Sequence, residues 1–127
     1  MTCMVKPEFQ CEVRVQFLPE RSEMPDGPFA FAYTVTIRNT GNITAQLVAR
    51  HWVVIDADEQ REDVRGLAVV GHQPLLKPGE HFEYTSWTRI PTPHGTMRGT
   101  YFCMTEDAHP FEATVPEFTL VYPGALH

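Results

Sequence analysis

The residues best equipped for chemistry fall in three runs: Arg50-His51-Trp52, then Val64 to Pro74, then Leu76-Lys77-Pro78-Gly79-Glu80. Arg50 and Arg65 supply guanidinium groups, which grip phosphate oxygens two at a time. Gly66 and Gly71 bracket a loop whose backbone amides could face an anion, with His72 just beyond. These five residues form a candidate site for pyrophosphate or the phosphates of a nucleotide. A glycine-bounded loop acquires dinucleotide-binding meaning only between a strand and a helix whose N-terminus meets the pyrophosphate. Pro74 and Pro78 leave no room for that helix. The competing account is structural and outweighs the ligand account: Gly66 and Gly71 permit a bulge or a close approach between sheets. On a flat strand Arg50 and Trp52 share one face and His51 takes the other, so the three cannot converge on one pocket. Trp52 is expected between two sheets, and Arg50 is expected to pair with Glu80 or Glu83.

Other chemistries find less support. His72, His81, His94, His109 and the terminal His127 are scattered, with no HxH, HxxxH or Cys/His spacing that would gather ligands around one ion, so no metal site is expected. Ser22 and Ser86 are the only serines and neither sits in a nucleophile elbow. Glu106-Asp107-Ala108-His109 is the best acid/base grouping, and its composition reads as a solvated acidic turn. The sequence therefore implies no catalytic residue and no cofactor. Asn42-Ile43-Thr44 matches a glycosylation acceptor, which matters only in a secreted chain.

These residues sit in a chain of 127 residues and 14.5 kDa, the size of one domain, taken to span residues 1–127 with 1–8 as a flexible tail. Hydrophobic residues make up 43% and charged residues 20%, enough to build a core. The net charge of −6 repels phosphate backbones and argues against binding nucleic acid. No apolar run approaches the roughly 20 residues a bilayer span needs, and the N-terminus lacks the basic-then-apolar order of a signal peptide. The expectation is a soluble cytoplasmic protein with no membrane contact. Three scattered cysteines fit a reducing compartment: Cys11 and Cys103 as small core residues, Cys3 as an exposed thiol in the tail.

The elements that must position the candidate site are strands. Residues 9–18 and 29–39 alternate apolar and polar side chains strictly, the mark of half-buried strands. Residues 19–28 hold three prolines, one glycine and four charges and read as a polar loop. A turn at 39–42 leads into a third strand at about 44–56, which a short strand at 61–66 joins in a hairpin. Residues 67–80 are too punctuated by Gly and Pro for a helix and read as an irregular connection with one short strand at most. A strand at 80–90 leaves its inner face open to two assignments, because Trp87 opposes Phe82 and Tyr84. Strands at 96–105 and 111–122 follow, and Pro116 places the last at a sheet edge or at a change of sheet. About seven strands and no helix predict two antiparallel sheets packed face to face, with a closed barrel as the competitor.

Three ordered blocks, RHWVVIDAD, VRGLAVVGHQPLLKPGEHFEYTS and TPHGTMRGTYF, resemble the ApaG family, and the resemblance runs from about Phe29 to His127. It implies an Ig-like or fibronectin type III-like β-sandwich, in agreement with the strand count. It also implies a non-enzymatic binding or protein-interaction module, loosely associated with cobalt and magnesium efflux and with diadenosine-tetraphosphate metabolism. Similar domains in eukaryotic F-box and polymerase-interacting proteins point to a protein partner, and sheet edges would also allow a homodimer in place of a monomer. Family members often carry GxGxxG after the Val-Arg; here the run is Gly66-Leu67-Ala68-Val69-Val70-Gly71, with alanine at the second glycine.

Overall fold

The computed structural model describes residues 4–126, so the readings of Cys3 and His127 lie outside the described residues. The strands are β1 (Phe9–Leu18), β2 (Phe29–Asn39), β3 (Ala45–Asp56), β4 (Arg61–Leu67), β5 (Leu75–Leu76), β6 (His81–Ile90), β7 (His94–Thr105) and β8 (Pro110–Val121). A 3-10 turn at Pro19–Arg21 follows β1, and another at Pro123–Leu126 follows β8. The eighth strand, beyond the seven expected, is the two-residue β5 inside the irregular connection.

One sheet has the order β1-β2-β6, the other β4-β3-β7-β8 with β5 also on β3, and every pairing is antiparallel. The two sheets do not pair into a barrel; they stack, because each has one apolar face and burying both at once removes the most apolar surface from water. From β2 come Phe29, Phe31, Tyr33, Val35 and Ile37, and they meet Leu47, Trp52 and Val54 of β3 and Met97, Tyr101 and Cys103 of β7. The aromatic centre is Trp52, edge-on to Tyr33, Tyr101 and Phe118 at centroid distances of 5.4, 5.9 and 6.1 Å. As expected, Trp52 lies between the sheets, 2% exposed.

Packing settles the ambiguous strand: Tyr84 and Ile90 of β6 turn into the core, and Trp87 faces solvent on the outer side. β8 forms an edge, and the β7–β8 register slips between Met97 and Gly99, beside Pro116, where the proline cannot donate to the ladder. β1 lies against β8 across the sandwich, with the Phe9 and Phe111 rings 5.3 Å apart. Residues 4–8 run along the 39–42 turn: the Asn42 side chain accepts from the Lys6 amide at 2.7 Å and donates to the Met4 carbonyl at 2.7 Å. Burial pushes the Cys11 and Cys103 thiols up to about 12, which keeps them protonated; Cys103 is in the core as expected, and Cys11 is half-buried against it. Among the described residues no helix is long and apolar enough to cross a membrane.

Candidate functional site

Arg50 lies on the inner face of β3, directly opposite Gly66 of β4. Its Nη1 donates to the carbonyls of Leu67 and Ala68, each at 2.9 Å. A side chain at position 66 would place its Cβ 2.8 Å from that Nη1, so Gly66 is the residue that lets the guanidinium lie over the strand. Arg50 forms no ion pair with the carboxylates expected for it. Glu83 accepts instead from Arg14 at 3.3 Å and Thr36 at 2.9 Å, and Glu80 accepts from the Lys77 amide at 2.7 Å.

Beyond Gly66 three more amides bond within the chain. The Ala68 amide donates to the Val48 carbonyl at 2.8 Å, and Val69 and His72 exchange both backbone bonds at 2.8 and 2.9 Å. Between them Val70 and Gly71 have φ of 49° and 78°, the two positive values of a tight hairpin turn. Val69 is fully buried and pins the turn to the core. Ala68 has φ of 67°, a left-handed backbone that glycine adopts without strain. Positions 66, 68 and 71 thus each have a local structural reason of their own: room for a guanidinium at 66, left-handed backbone at 68 and 71.

The five candidate phosphate residues do not converge. Arg65 is the register partner of His51 and shares the outer face with it, whereas Arg50 and Gly66 meet on the inner face. The His72 ring turns to Phe82, 5.6 Å away. The amides of Ala68, Val69 and His72 are already bonded within the protein. On the outer face His51 Nε2 is 2.8 Å from Asp63 Oδ2, and Arg61 Nε is 2.7 Å from Asp63 Oδ1. The Arg61 hydrogen bond and then that of His51 hold the Asp63 carboxyl well below the usual carboxylate range.

In the acidic turn, His109 Nδ1 is 3.1 Å from Asp107 Oδ1, and the Thr105 hydroxyl bonds to the same carboxylate. Those two bonds, Thr105's first, lower the Asp107 pKa. The His109 amide donates back to Thr105 Oγ1 at 2.9 Å, so the group is a closed, solvent-facing turn. Among the described residues no three His, Cys, Asp or Glu side chains gather as metal ligands.

Two surface features escape the strand patterns. On the outer face of the larger sheet, Leu67, Ala49 and Phe102 stand in one register row, and Leu75, Gln46 and Met104 in the next. Leu67 is 73% exposed and Phe102 45%. A one-residue slip in the β3–β7 pairing between Leu47 and Ala49, at Val48, sets this alignment, and nothing local in the sequence announces it. On the outer face of the smaller sheet, the guanidinium carbons of Arg21 and Arg89 lie over the Trp87 ring, 5.2 and 5.4 Å from its centroid. The Trp87/Arg89 spacing of two residues was readable as one face of a strand; the arrival of Arg21 from the polar loop was not.

With that geometry in place, the chain can be set beside known proteins. The family described as the ApaG domain matches residues 19–105. The chain is 59% identical over 124 residues to Protein ApaG of Ralstonia nicotianae, covering 98% of this chain and 100% of that one. It is 51% identical over 124 residues to Protein ApaG of Bordetella pertussis, covering 97% and 95%. Its fold is similar to the crystal structure of the ApaA protein from Bordetella pertussis, with TM-score 0.86 at 49% identity over 92% of this chain and 95% of that chain. A second X-ray structure, a structural-genomics target, superposes with TM-score 0.88 at 38% identity over 94% and 91%.

Proposed function

This chain belongs to the ApaG family, and from that premise we propose that it is a non-enzymatic module acting through contact with a protein partner. One observation carries the reading: the two rows on the outer face of the larger sheet hold Leu67, Leu75, Phe102 and Met104, all facing solvent, with Ala49 and Gln46 between them. A row of large apolar side chains held in water costs stability and solubility, and contiguous patches of this kind mark interaction surfaces. The groups that would serve chemistry are withdrawn by contrast. The Cys11 and Cys103 thiols are protonated, and Nη1 of Arg50 is bonded to two carbonyls. Any tie of the family to metal efflux or dinucleoside polyphosphates then runs through the partner.

The alternative is binding of pyrophosphate or nucleotide phosphates by Arg50, Arg65, Gly66, Gly71 and His72. Backbone amide NMR during titration with pyrophosphate, ATP, Mg²⁺ and Co²⁺ separates the two. We expect no saturable shift within residues 64–74 at millimolar ligand; a saturable shift confined there overturns the protein-contact reading in favour of the phosphate one. A photo-crosslinker in place of Phe102 should yield one discrete protein adduct in cells, lost on Leu67→Asp.

A further inference from the structure

We propose that the free edge of β6 is a second binding site, one that takes an extended acidic peptide segment as an added strand, clasped by Trp87, Arg21 and Arg89. It lies on the other sheet from the apolar rows and stands independently of them.

The hydrogen-bond parity of the smaller sheet shows which backbone groups are free. The Thr40 amide bonds to the Glu8 carbonyl at 3.0 Å, and the Asn39 amide to the Glu80 carbonyl at 2.9 Å. Even-numbered residues of β2 therefore bond to β1 and odd-numbered ones to β6. With Val35 opposite Tyr84 and Tyr33 opposite Ser86, the even residues of β6 are those bonded to β2. The amides and carbonyls of His81, Glu83, Thr85, Trp87 and Arg89 consequently point away from the sheet, and among the described residues no other strand pairs with them.

Besides the two-residue β5, the edge strands among the described residues are not equally open. β4 is short, and four of its first five residues are charged (Arg61, Glu62, Asp63, Arg65), the usual protection against strand addition. β8 is interrupted by Pro116, and β1 lies against β8. β6 runs for ten residues with no proline, and its carboxylate at Glu83 is already engaged by Arg14 and Thr36.

The side chains specify what would pair there. A residue of the incoming strand opposite Trp87 points its side chain to the same outer face. There it meets the indole, 45% exposed, and two guanidinium groups that form no ion pair among the described residues. In a chain of net charge −6, two unpaired arginines stacked on one tryptophan select a carboxylate. Alternate residues of the added strand point instead into a cleft of about 160 Å³ between β6 and β4, lined by Arg50, Val64, Ser86 and Thr88. Trp52 also lines this cleft, and its Nε1 is a buried donor with no partner among the described residues. The preferred segment thus alternates an acidic residue outward with a small apolar or polar residue inward. This is β-strand addition, in which backbone bonds supply affinity and alternate side chains supply selection.

The test uses the full chain, ¹⁵N-labelled, with two ten-residue probes, one alternating valine with aspartate and one alternating valine with lysine. The net charge favours the lysine peptide at long range, so a preference for aspartate arises only locally. We expect the aspartate peptide to bind about tenfold more tightly, slowing hydrogen exchange at Glu83, Thr85 and Trp87 and shifting the Trp87 indole resonance. Thr85→Pro should abolish binding while leaving the β2–β6 ladder intact, because the Thr85 amide donates to the open side. Arg21→Gln with Arg89→Gln should erase the preference for aspartate and retain the fold. Equal binding of both probes, protection on another strand, or a dimer joined through β6 without peptide would each overturn the proposal. None of those results bears on a crosslink from position 102, so the two readings fail separately.

Discussion

The loop at 66–72 and the edge of β6 border the same side of the sandwich and dispose of their polar groups in opposite ways. In the loop, a motif that reads as a phosphate cradle has the amides of Ala68, Val69 and His72 bonded to Val48 and across the Val69–His72 turn, and the Nη1 of its arginine bonded to the loop's own carbonyls. On β6, a strand that reads as ordinary has five residues whose backbone groups face outward unpaired and an exposed tryptophan flanked by unpaired cations. Binding capacity follows the donors and charges left unspent by folding, and these are invisible in the motif itself. The loop's glycines fit the backbone the fold takes there, and the edge of β6 lacks the dense charge that protects β4.

Both regions depend on one core, and the largest expected effect falls on it. The Cys11 and Cys103 thiols are raised by burial from 9.0 to about 12, so the unfolded chain loses these protons before the folded one does. Their contribution is fully present below pH 9 and is lost as pH rises from 9 toward 12. Urea unfolding should show a falling midpoint over that window, and Cys103→Ala should flatten the fall. Below pH 9 the two regions can be compared directly. Arg50→Met removes two charged hydrogen bonds and should cost about 2 kcal/mol, with faster exchange at Ala68 and Val69. Gly66→Ala should cost about 1 kcal/mol in the native background and close to nothing beside Arg50→Met, since the clash is with the guanidinium. Ala68→Gly should stabilise by about 0.5 kcal/mol, the relief of a left-handed alanine set against the added freedom of the unfolded chain. Trp87→Thr should change stability least, by about 0.5 kcal/mol or less, because an exposed indole is lost and a good strand former replaces it. A large loss of stability with Trp87→Thr, or none with Arg50→Met, would break the contrast between a self-satisfied loop and an unspent edge.

The amino-acid sequence by itself determined where the strands lie and which way most of them face. Period-two alternation is a local property, and it placed β1 and β2 at their observed bounds; the missing donor of Pro116 limited the last strand to a sheet edge or a change of sheet, and β8 lies at an edge. It also predicted an all-β sandwich, because so many half-buried strands have few other ways to bury an apolar face. Only the tertiary structure decided who pairs with whom. β6 joins β1 and β2 although its chain neighbour β7 enters the other sheet, and this choice leaves β6 at an edge. Arg50 and Arg65 look like partners along the chain, yet the β3–β4 register sends them to opposite faces. Arg50 found carbonyls rather than Glu80 or Glu83, and Trp87 found Arg21 from a loop remote in sequence. Alternation fixes the face a side chain takes but carries no information about the strand that will lie beside it, and register across a sheet is set by long-range packing of the whole core.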